Sequence, residues 1–261
     1  MEIKKKTSFL RWFVLVVVLL HVLYVNLYDL IVKENTIPQI TQKYKSLFVP
    51  AGYTFSIWAL IYLLLIIYSI YQLLPSQRKK YIYNEIALPL MISMTLGIWW
   101  GITYHLELIG LSMIAIFGML IFAYVVYRIV HTSVLYKDSG KWLLVPFSLL
   151  LGWLTAATIA GFTVWLVSIG ASGSFLGEVV MTRLLVIATA IIAISFSVRY
   201  WDFVFPLTIT WALIGIYIAR KDDIPSPVGT PAFICAIILI VWSMVVIFVK
   251  KNPRLEDLPR R

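Results

Sequence analysis

Long apolar runs recur along the whole chain, and they constrain the fold more than any other feature of the sequence. A helix that crosses the roughly 30 Å hydrocarbon core of a bilayer needs about 20 mostly apolar residues. Eight stretches are predicted to be such helices: residues 9–32, 52–74, 86–104, 108–130, 142–169, 181–198, 203–219 and 231–249. The sixth and seventh are short, so seven spans with one re-entrant segment remain an alternative. The sequence predicts an all-α integral membrane protein with about eight transmembrane helices.

The composition agrees with a chain that spans the membrane many times. Hydrophobic residues make up 61% of the 261 residues and charged residues 13%, whereas soluble domains have roughly 45–50% and about 25%. Cys235 is the single cysteine, which excludes a disulfide framework and a cysteine metal cluster. The chain also lacks the P-loop, the HExxH zinc helix and the GxSxG nucleophile elbow, so these enzyme classes have no motif here.

The net charge of +10 predicts orientation rather than a nucleic-acid partner. If the N-terminus is inside, sixteen of the 22 lysines and arginines fall on inner segments and six on outer ones. Positive residues concentrate on the cytoplasmic side of membrane proteins. We therefore expect an integral protein of the cytoplasmic (plasma) membrane with both termini cytoplasmic, and the lipid bilayer as a partner. Nucleic-acid binding is not needed to explain the charge.

Three polar residues interrupt the apolar pattern. His21 falls near the middle of the first span, where an ionisable side chain is by default a candidate functional group. The alternative is a neutral imidazole that is hydrogen-bonded to a neighbouring helix carbonyl or hydroxyl. His105 and Glu107 fall at the turn after the third span, and we expect that turn to be solvated.

Aromatic residues mark the outer halves of the second, third and fifth spans. Phe55, Trp58 and Tyr62 share one helix face because they are three and seven residues apart. Trp100 and Tyr104 are four apart on the third span. Such rings are typical of membrane-interface belts, of packed cores or of the walls of a ligand pocket.

Small residues accompany these rings. In the fifth span, steps of four join Trp153, Ala157, Gly161 and Trp165, so two rings flank a stretch without bulk. Gly97 and Gly101 form a GxxxG pair in the third span. Such rows are typical of close helix packing, and they are compatible with a homodimer. Rings of three helices around small residues are the alternative, an aromatic-lined slot for a flat hydrophobic molecule.

These motifs resemble the tryptophan-rich sensory protein / translocator protein family, also called the peripheral benzodiazepine receptor family. In that family the second helix follows a Pro-Pro loop and carries Trp and then Tyr, which correspond to Pro50, Trp58 and Tyr62. The fifth-helix pattern is the most specific one: Trp, Ala-Thr four and five residues later, and Trp at twelve. It corresponds to Trp153, Ala157, Thr158 and Trp165.

The chain departs from the family pattern at several positions. Val49 replaces the first proline of the pair, and Gly97 and Gly161 replace two asparagines. The resemblance covers roughly residues 9–170. It implies a five-helix bundle over residues 1–175. The three additional predicted helices and a basic cytoplasmic tail, over residues 176–261, are not part of that five-helix pattern.

The resemblance also implies a ligand site beneath the first outer loop, residues 33–52, which we call loop 1. Members of the family bind porphyrins, so a tetrapyrrole (porphyrin or haem) is the implied ligand, although the residues identify no cofactor. The implied ligand-binding residues are Trp58, Tyr62, Trp100, Trp153, Ala157 and Trp165. The implied function is a membrane receptor, sensor or carrier for a small hydrophobic ligand. An enzyme for light-dependent porphyrin degradation and a transporter or permease subunit are the alternatives.

Overall fold

The computed structural model describes residues 2–136, 139–172, 177–223 and 226–249, with residues 2–8 and 29 described by their backbone alone. Within these ranges the chain is helical and has no strand. The helices, in chain order, are α1 (Glu2–Ile31), α2 (Ile37–Lys43), α3 (Ile57–Tyr71), α4 (Ile82–His105), α5 (Ile109–Leu135), α6 (Leu144–Ser168), α7 (Glu178–Tyr200), α8 (Val204–Ala219) and α9 (Gly229–Phe248). The prediction of an all-α integral membrane protein is confirmed.

Seven segments within the described ranges are long and apolar enough to cross a membrane. They comprise α1, α3 with its preceding 3-10 turn, α4, α5, α6, α7 and α9. The eighth predicted span is α8, which has 16 residues and is apolar but shorter. A helix of that length extends about 24 Å, less than the roughly 30 Å hydrocarbon core. Its shortness fits its place inside the protein, where Ile209 and Leu213 are fully buried.

Of the three C-terminal helices, α7 and α8 pack against α6, and all three pack against one another. Helix α8 lies against α6 on one side and against α9 and α7 on the other. The α6–α8 approach is close because Gly152 has no side chain. A Cβ at this position would lie 2.8 Å from the Thr208 Cβ and 3.2 Å from the Phe205 carbonyl oxygen. The division into residues 1–175 and 176–261 stays a prediction, and its boundary and the basic tail (residues 250–261) lie outside the described residues.

The tight connection between α7 and α8 is built around an aspartate. Trp201 adopts a left-handed conformation with φ 52°, which reverses the chain. The Asp202 carboxylate then accepts hydrogen bonds from the backbone N–H groups of Val204 and Phe205 at 2.7 and 3.1 Å. These donors belong to the first turn of α8, where N–H groups have no partner within the helix. Asp202 therefore caps α8, and its other oxygen accepts from the Tyr127 hydroxyl.

Three glycines of α4 and α6 are packed closely against other helices of the same chain. Gly97 and Gly101 of α4 face α1, where a Cβ would meet the rings of His21 and Tyr24 respectively. Gly152 faces α8, as described above. Because Gly97, Gly101 and Gly152 are already packed against helices of the same chain, they give no support to contact with a second copy. The homodimer stays a prediction.

Loop 1 contains a helix that the sequence analysis did not predict. Helix α2 begins after Thr36, whose hydroxyl accepts from the Gln39 N–H while the Gln39 side chain accepts from the Thr36 N–H. This reciprocal arrangement is a capping box, and Pro38 in the first turn needs no N–H partner. The capping-box residues and the proline are visible in the sequence. The segment was not predicted as a helix because it is short and polar.

Candidate functional site

A mostly apolar cavity lies beneath loop 1, between α1, α3, α4, α5, α6 and α8. The part of it that is open to the centre of a water molecule is about 70 Å³, whereas pockets for small molecules in proteins typically measure about 300–1,000 Å³. The side chains therefore leave little free space in this cavity in the present conformation. We call it the aromatic cavity.

Rings of α3 and α6 form one wall of the aromatic cavity. Trp58 and Tyr62 stack with ring centroids 5.0 Å apart, and the Trp153 ring meets Trp58 edge-on at 6.2 Å. Phe55 also meets Trp153 edge-on, at 5.8 Å. Offset stacks and edge-on contacts are the favoured geometries of aromatic pairs. These contacts join the four rings into one continuous aromatic surface on this side of the cavity.

The structure brings five of the six predicted site residues into the lining. Trp58, Tyr62, Trp100, Trp153 and Ala157 all line the aromatic cavity. Direct contact of any of them with a ligand stays a prediction.

The sixth predicted residue, Trp165, lies one layer behind the lining. It packs against a buried cluster that includes Tyr104 and Val164, which themselves line the cavity. Trp165 is twelve residues after Trp153, and steps of four on a helix of 3.6 residues per turn drift around its axis. That drift carries Trp165 towards α5, where its indole nitrogen lies 3.3 Å from the position that a Gly110 Cβ would occupy.

His21 lines the aromatic cavity from α1 and is 1% exposed. Its Nδ1 lies 3.0 Å from the Met94 carbonyl oxygen of α4. A carbonyl accepts only, so Nδ1 carries the proton and donates it. The expected bond to a neighbouring helix carbonyl is thus present. The ring reaches α4 because position 97 is glycine, where a Cβ would lie 2.7 Å from Nδ1 and closer still to Cε1.

Three lining residues carry a buried polar atom without a hydrogen-bond partner among the described residues. These atoms are His21 Nε2, the Tyr62 hydroxyl oxygen and Trp153 Nε1. The great majority of buried polar atoms in proteins are hydrogen-bonded. These three polar atoms are therefore available to hydrogen-bond with a ligand or with water.

The C-terminal half of loop 1 is tied to the helices beneath it. Arg220, at the end of α8, donates to the Ser46 carbonyl at 2.8 Å and to the Leu47 carbonyl at 3.3 Å. The Leu47 N–H donates to Glu178 of α7 at 3.0 Å. The additional helices thus hold the segment that covers the aromatic cavity.

Helix α8 holds the residues that follow. The Ala51 N–H donates to the Gly215 carbonyl at 3.0 Å, and the Trp211 indole donates to the Thr54 carbonyl at 2.8 Å. A side chain at position 215 would collide with Thr54 and Pro50, so glycine permits this close approach. Helix α8 also contributes Ala212 and Ile216 to the lining.

The end of α2 in loop 1 is held at the turn between α4 and α5. Glu107 accepts hydrogen bonds from Lys43 and from the Tyr44 hydroxyl, and the Lys43 contact is also an ion pair. These two bonds, led by that from Lys43, lower the pKa of the Glu107 carboxyl, and the bond to Glu107 raises the pKa of Lys43. The two groups are in contact with solvent, so the pair positions the loop more than it stabilises the fold.

The prediction of a solvated turn was wrong for His105. The side chain of this residue is 2% exposed, and its ring stacks on Tyr28 with centroids 3.6 Å apart. The Tyr24 hydroxyl lies 3.1 Å from Nδ1. Two tyrosines of α1, one turn apart, thus cover the imidazole, a contact between distant segments that the local sequence does not reveal.

The sequence comparison assigns the chain to a family. A profile of the family described as TSPO-like protein matches residues 11–245. The chain belongs to the TSPO-like protein family. The match extends well beyond the roughly 160 residues of the resemblance, through α7 and α8 and into α9, so the C-terminal helices are part of what the family profile describes. No curated protein and no solved structure matches the chain.

Membership of this family, together with the apolar helices, indicates an integral membrane protein with a receptor or binding function in general terms. The lining residues from α8 and the methionines of α5, Met113 and Met119, were not predicted from the sequence. The methionines carried no distinguishing signal in an apolar helix. Ala212 and Ile216 lie outside the motifs on which the resemblance was based.

Proposed function

We propose that this TSPO-like protein is a membrane receptor or carrier that binds a flat, hydrophobic, porphyrin-like ligand in the aromatic cavity. The observation that supports the proposal most directly is the cavity wall of Trp58, Tyr62 and Trp153, in which stacked and edge-on rings surround unpartnered polar atoms. Aromatic faces with a few convergent polar groups are typical of sites for flat small molecules.

Binding of a ligand as large as a porphyrin requires the cavity to open. The space open to the centre of a water molecule is about 70 Å³, enough for a few waters rather than for a macrocycle. Trp58 is only partly buried, and the adjoining loop 1 is tied to the helices by hydrogen bonds at Tyr44 and Ser46, near its middle. Rotation of the Trp58 ring together with an outward movement of loop 1 would provide the room.

The test is a titration of the purified protein with protoporphyrin IX, monitored by quenching of tryptophan fluorescence, with detergent alone as the blank. Replacement of Ala157, which lines the cavity, by phenylalanine fills the space and should abolish saturable quenching. Ala59 is the matched control because it lies on α3 beside Trp58 but is exposed on the outer surface. Ala59→Phe should bind as wild type. Equal binding by both variants would refute the proposed site.

The proposal includes an orientation with both termini cytoplasmic and loop 1 on the opposite side of the plasma membrane. The distribution of lysine and arginine supports it. A cysteine introduced at Tyr53, which is 42% exposed, in a chain whose Cys235 is replaced by serine, should react with an impermeant maleimide added to whole cells. Reaction only after cell lysis, with folded protein, would contradict this orientation.

A further inference from the structure

We infer that the aromatic cavity selects ligands that present an N–H or O–H group to His21 Nε2. The inference rests on the proposed function, because it concerns the same cavity, and it adds the polar group that the ligand must carry. The sequence contains His21 but does not reveal the state of its ring, which follows from the contacts of the imidazole in the structure.

The bond to α4 decides which nitrogen of His21 remains available. Nδ1 donates its proton to the Met94 carbonyl at 3.0 Å. A neutral imidazole carries one proton, so Nε2 then has a lone pair and no hydrogen. The ring is 1% exposed in an apolar part of the protein, where a charged imidazolium without a counter-ion is strongly disfavoured. Nε2 is therefore an acceptor.

Nε2 has no hydrogen-bond partner among the described residues, although it is buried. The nearest rings are Tyr62 and Trp58, with centroids 5.6 and 6.5 Å from that of His21, and both line the aromatic cavity. The Tyr62 hydroxyl is itself buried without a partner and forms no hydrogen bond to the imidazole. An acceptor left open in this setting is complementary to a donor carried by the ligand.

Gly97 is the reason why His21 can act in this way. The imidazole occupies the volume into which any side chain at position 97 would project, with Nδ1 2.7 Å from the position of its Cβ. The glycine in α4 and the histidine in α1 thus form one unit. At this depth of the cavity the polar side chain is His21 of α1, and position 97 of α4 contributes none.

A free metal ion is a poorer occupant of this position than a hydrogen-bond donor. Among the described residues no group of three histidine, cysteine, aspartate or glutamate side chains is arranged to hold a metal. Structural and catalytic metal sites typically use three or four protein ligands. His21 alone does not make such a site, whereas a single hydrogen bond needs only one acceptor.

The inference is tested with two flat probes that differ by one polar group, indole with a ring N–H and benzofuran with a ring oxygen in its place. Affinities are measured by isothermal titration calorimetry with the full-length protein in detergent, corrected for partition into protein-free micelles. Wild-type protein should prefer indole by about tenfold, because benzofuran leaves the buried acceptor unpaired. In His21→Phe, which removes the acceptor, the ratio should fall close to one.

Thr158→Val is the matched control, since it removes another buried hydroxyl without a partner among the described residues, at a residue outside the lining of the aromatic cavity, and leaves His21 and its bond to Met94 in place. It should retain the preference for indole. Any of three results would overturn the inference. The preference for indole could be equal in wild type and His21→Phe, the ratio in wild type could be one, or folded wild type could bind neither probe saturably. Protoporphyrin IX titrated into the same preparation shows separately whether the proposed function holds.

Discussion

The contact between His21 and Gly97 predicts a specific loss of stability in Gly97→Ala. The added Cβ would lie 2.7 Å from His21 Nδ1 and 3.1 Å from Met119 Cε, so the imidazole has to move and its bond to Met94 is lost. Overpacking of this kind costs about 1–3 kcal/mol, and the lost hydrogen bond about 1 kcal/mol more. The better helix propensity of alanine offsets about 1 kcal/mol. The net expectation is a destabilisation of about 1–3 kcal/mol.

The assay is thermal unfolding in a single detergent, followed by circular dichroism at a constant scan rate because unfolding of such a protein is often irreversible. A loss of this size lowers the apparent melting temperature by roughly 2–12 °C for a chain of this length. Gly118→Ala is the control, since the three atoms nearest to a Cβ there belong to the Leu96 side chain, which can turn away. Its melting temperature should stay close to that of wild type.

A double substitution tests the physical reason directly. With His21→Ala in place, the imidazole no longer occupies the volume beside position 97, and Met119 Cε, the end of a flexible side chain, can move away. Gly97→Ala should then cost nothing or stabilise the helix. If Gly97→Ala lowers the melting temperature equally in both backgrounds, the clash with the imidazole is not the cause. That result would refute the interpretation of His21 and Gly97 as one unit.

Three further predictions concern loop 1 and the cavity wall. Arg220→Gln should speed amide hydrogen exchange at Leu47, because the carbonyls of Ser46 and Leu47 lose their hydrogen bonds from the guanidinium. Unchanged exchange would show that Arg220 does not hold loop 1 in place. The lowered pKa of Glu107 implies that its pairing with Lys43 stabilises loop 1 above about pH 4.5 and that this is lost as the pH falls through the lowered value. Exchange of loop 1, relative to the intrinsic amide exchange rate at each pH, should rise there in wild type, and Glu107→Gln should remove that rise. Trp153→Phe, which keeps a ring but removes the indole nitrogen, should weaken protoporphyrin IX binding several-fold while the melting temperature changes little; a large loss of stability with unchanged affinity would indicate a purely structural role.

The fold was predictable to a large extent from apolar run lengths, because the bilayer demands helices of about 20 apolar residues whatever their tertiary contacts. Each predicted span corresponds to a helix or part of one, with ends that differ by a few residues. Helix α4 begins at Ile82, four residues earlier than predicted, because its first turn lies outside the apolar run. Orientation depends on the membrane itself and stays a prediction.

The candidate site was predictable where its residues lie on one helix face and not where it depends on contacts between helices. Spacing within α3 placed Trp58 and Tyr62 together, as the stacked rings show. Spacing within α6 did not reveal that Trp165 lies one layer behind the lining, because the small angular drift of each four-residue step accumulates over three turns. The contribution of α8 and the pairing of His21 with Gly97 join segments far apart in sequence, and no local pattern reports such contacts.

The central claim is that ligand binds against the rings of the aromatic cavity, and paired tryptophan variants test it most directly. Trp58 lines the cavity, whereas Trp165 packs one layer behind it, so the two substitutions to phenylalanine are matched in chemistry and differ in place. Protoporphyrin IX titrated into both folded variants should bind several-fold more weakly to Trp58→Phe and with wild-type affinity to Trp165→Phe. Equal affinities in the two variants, or a loss confined to Trp165→Phe, would contradict the account.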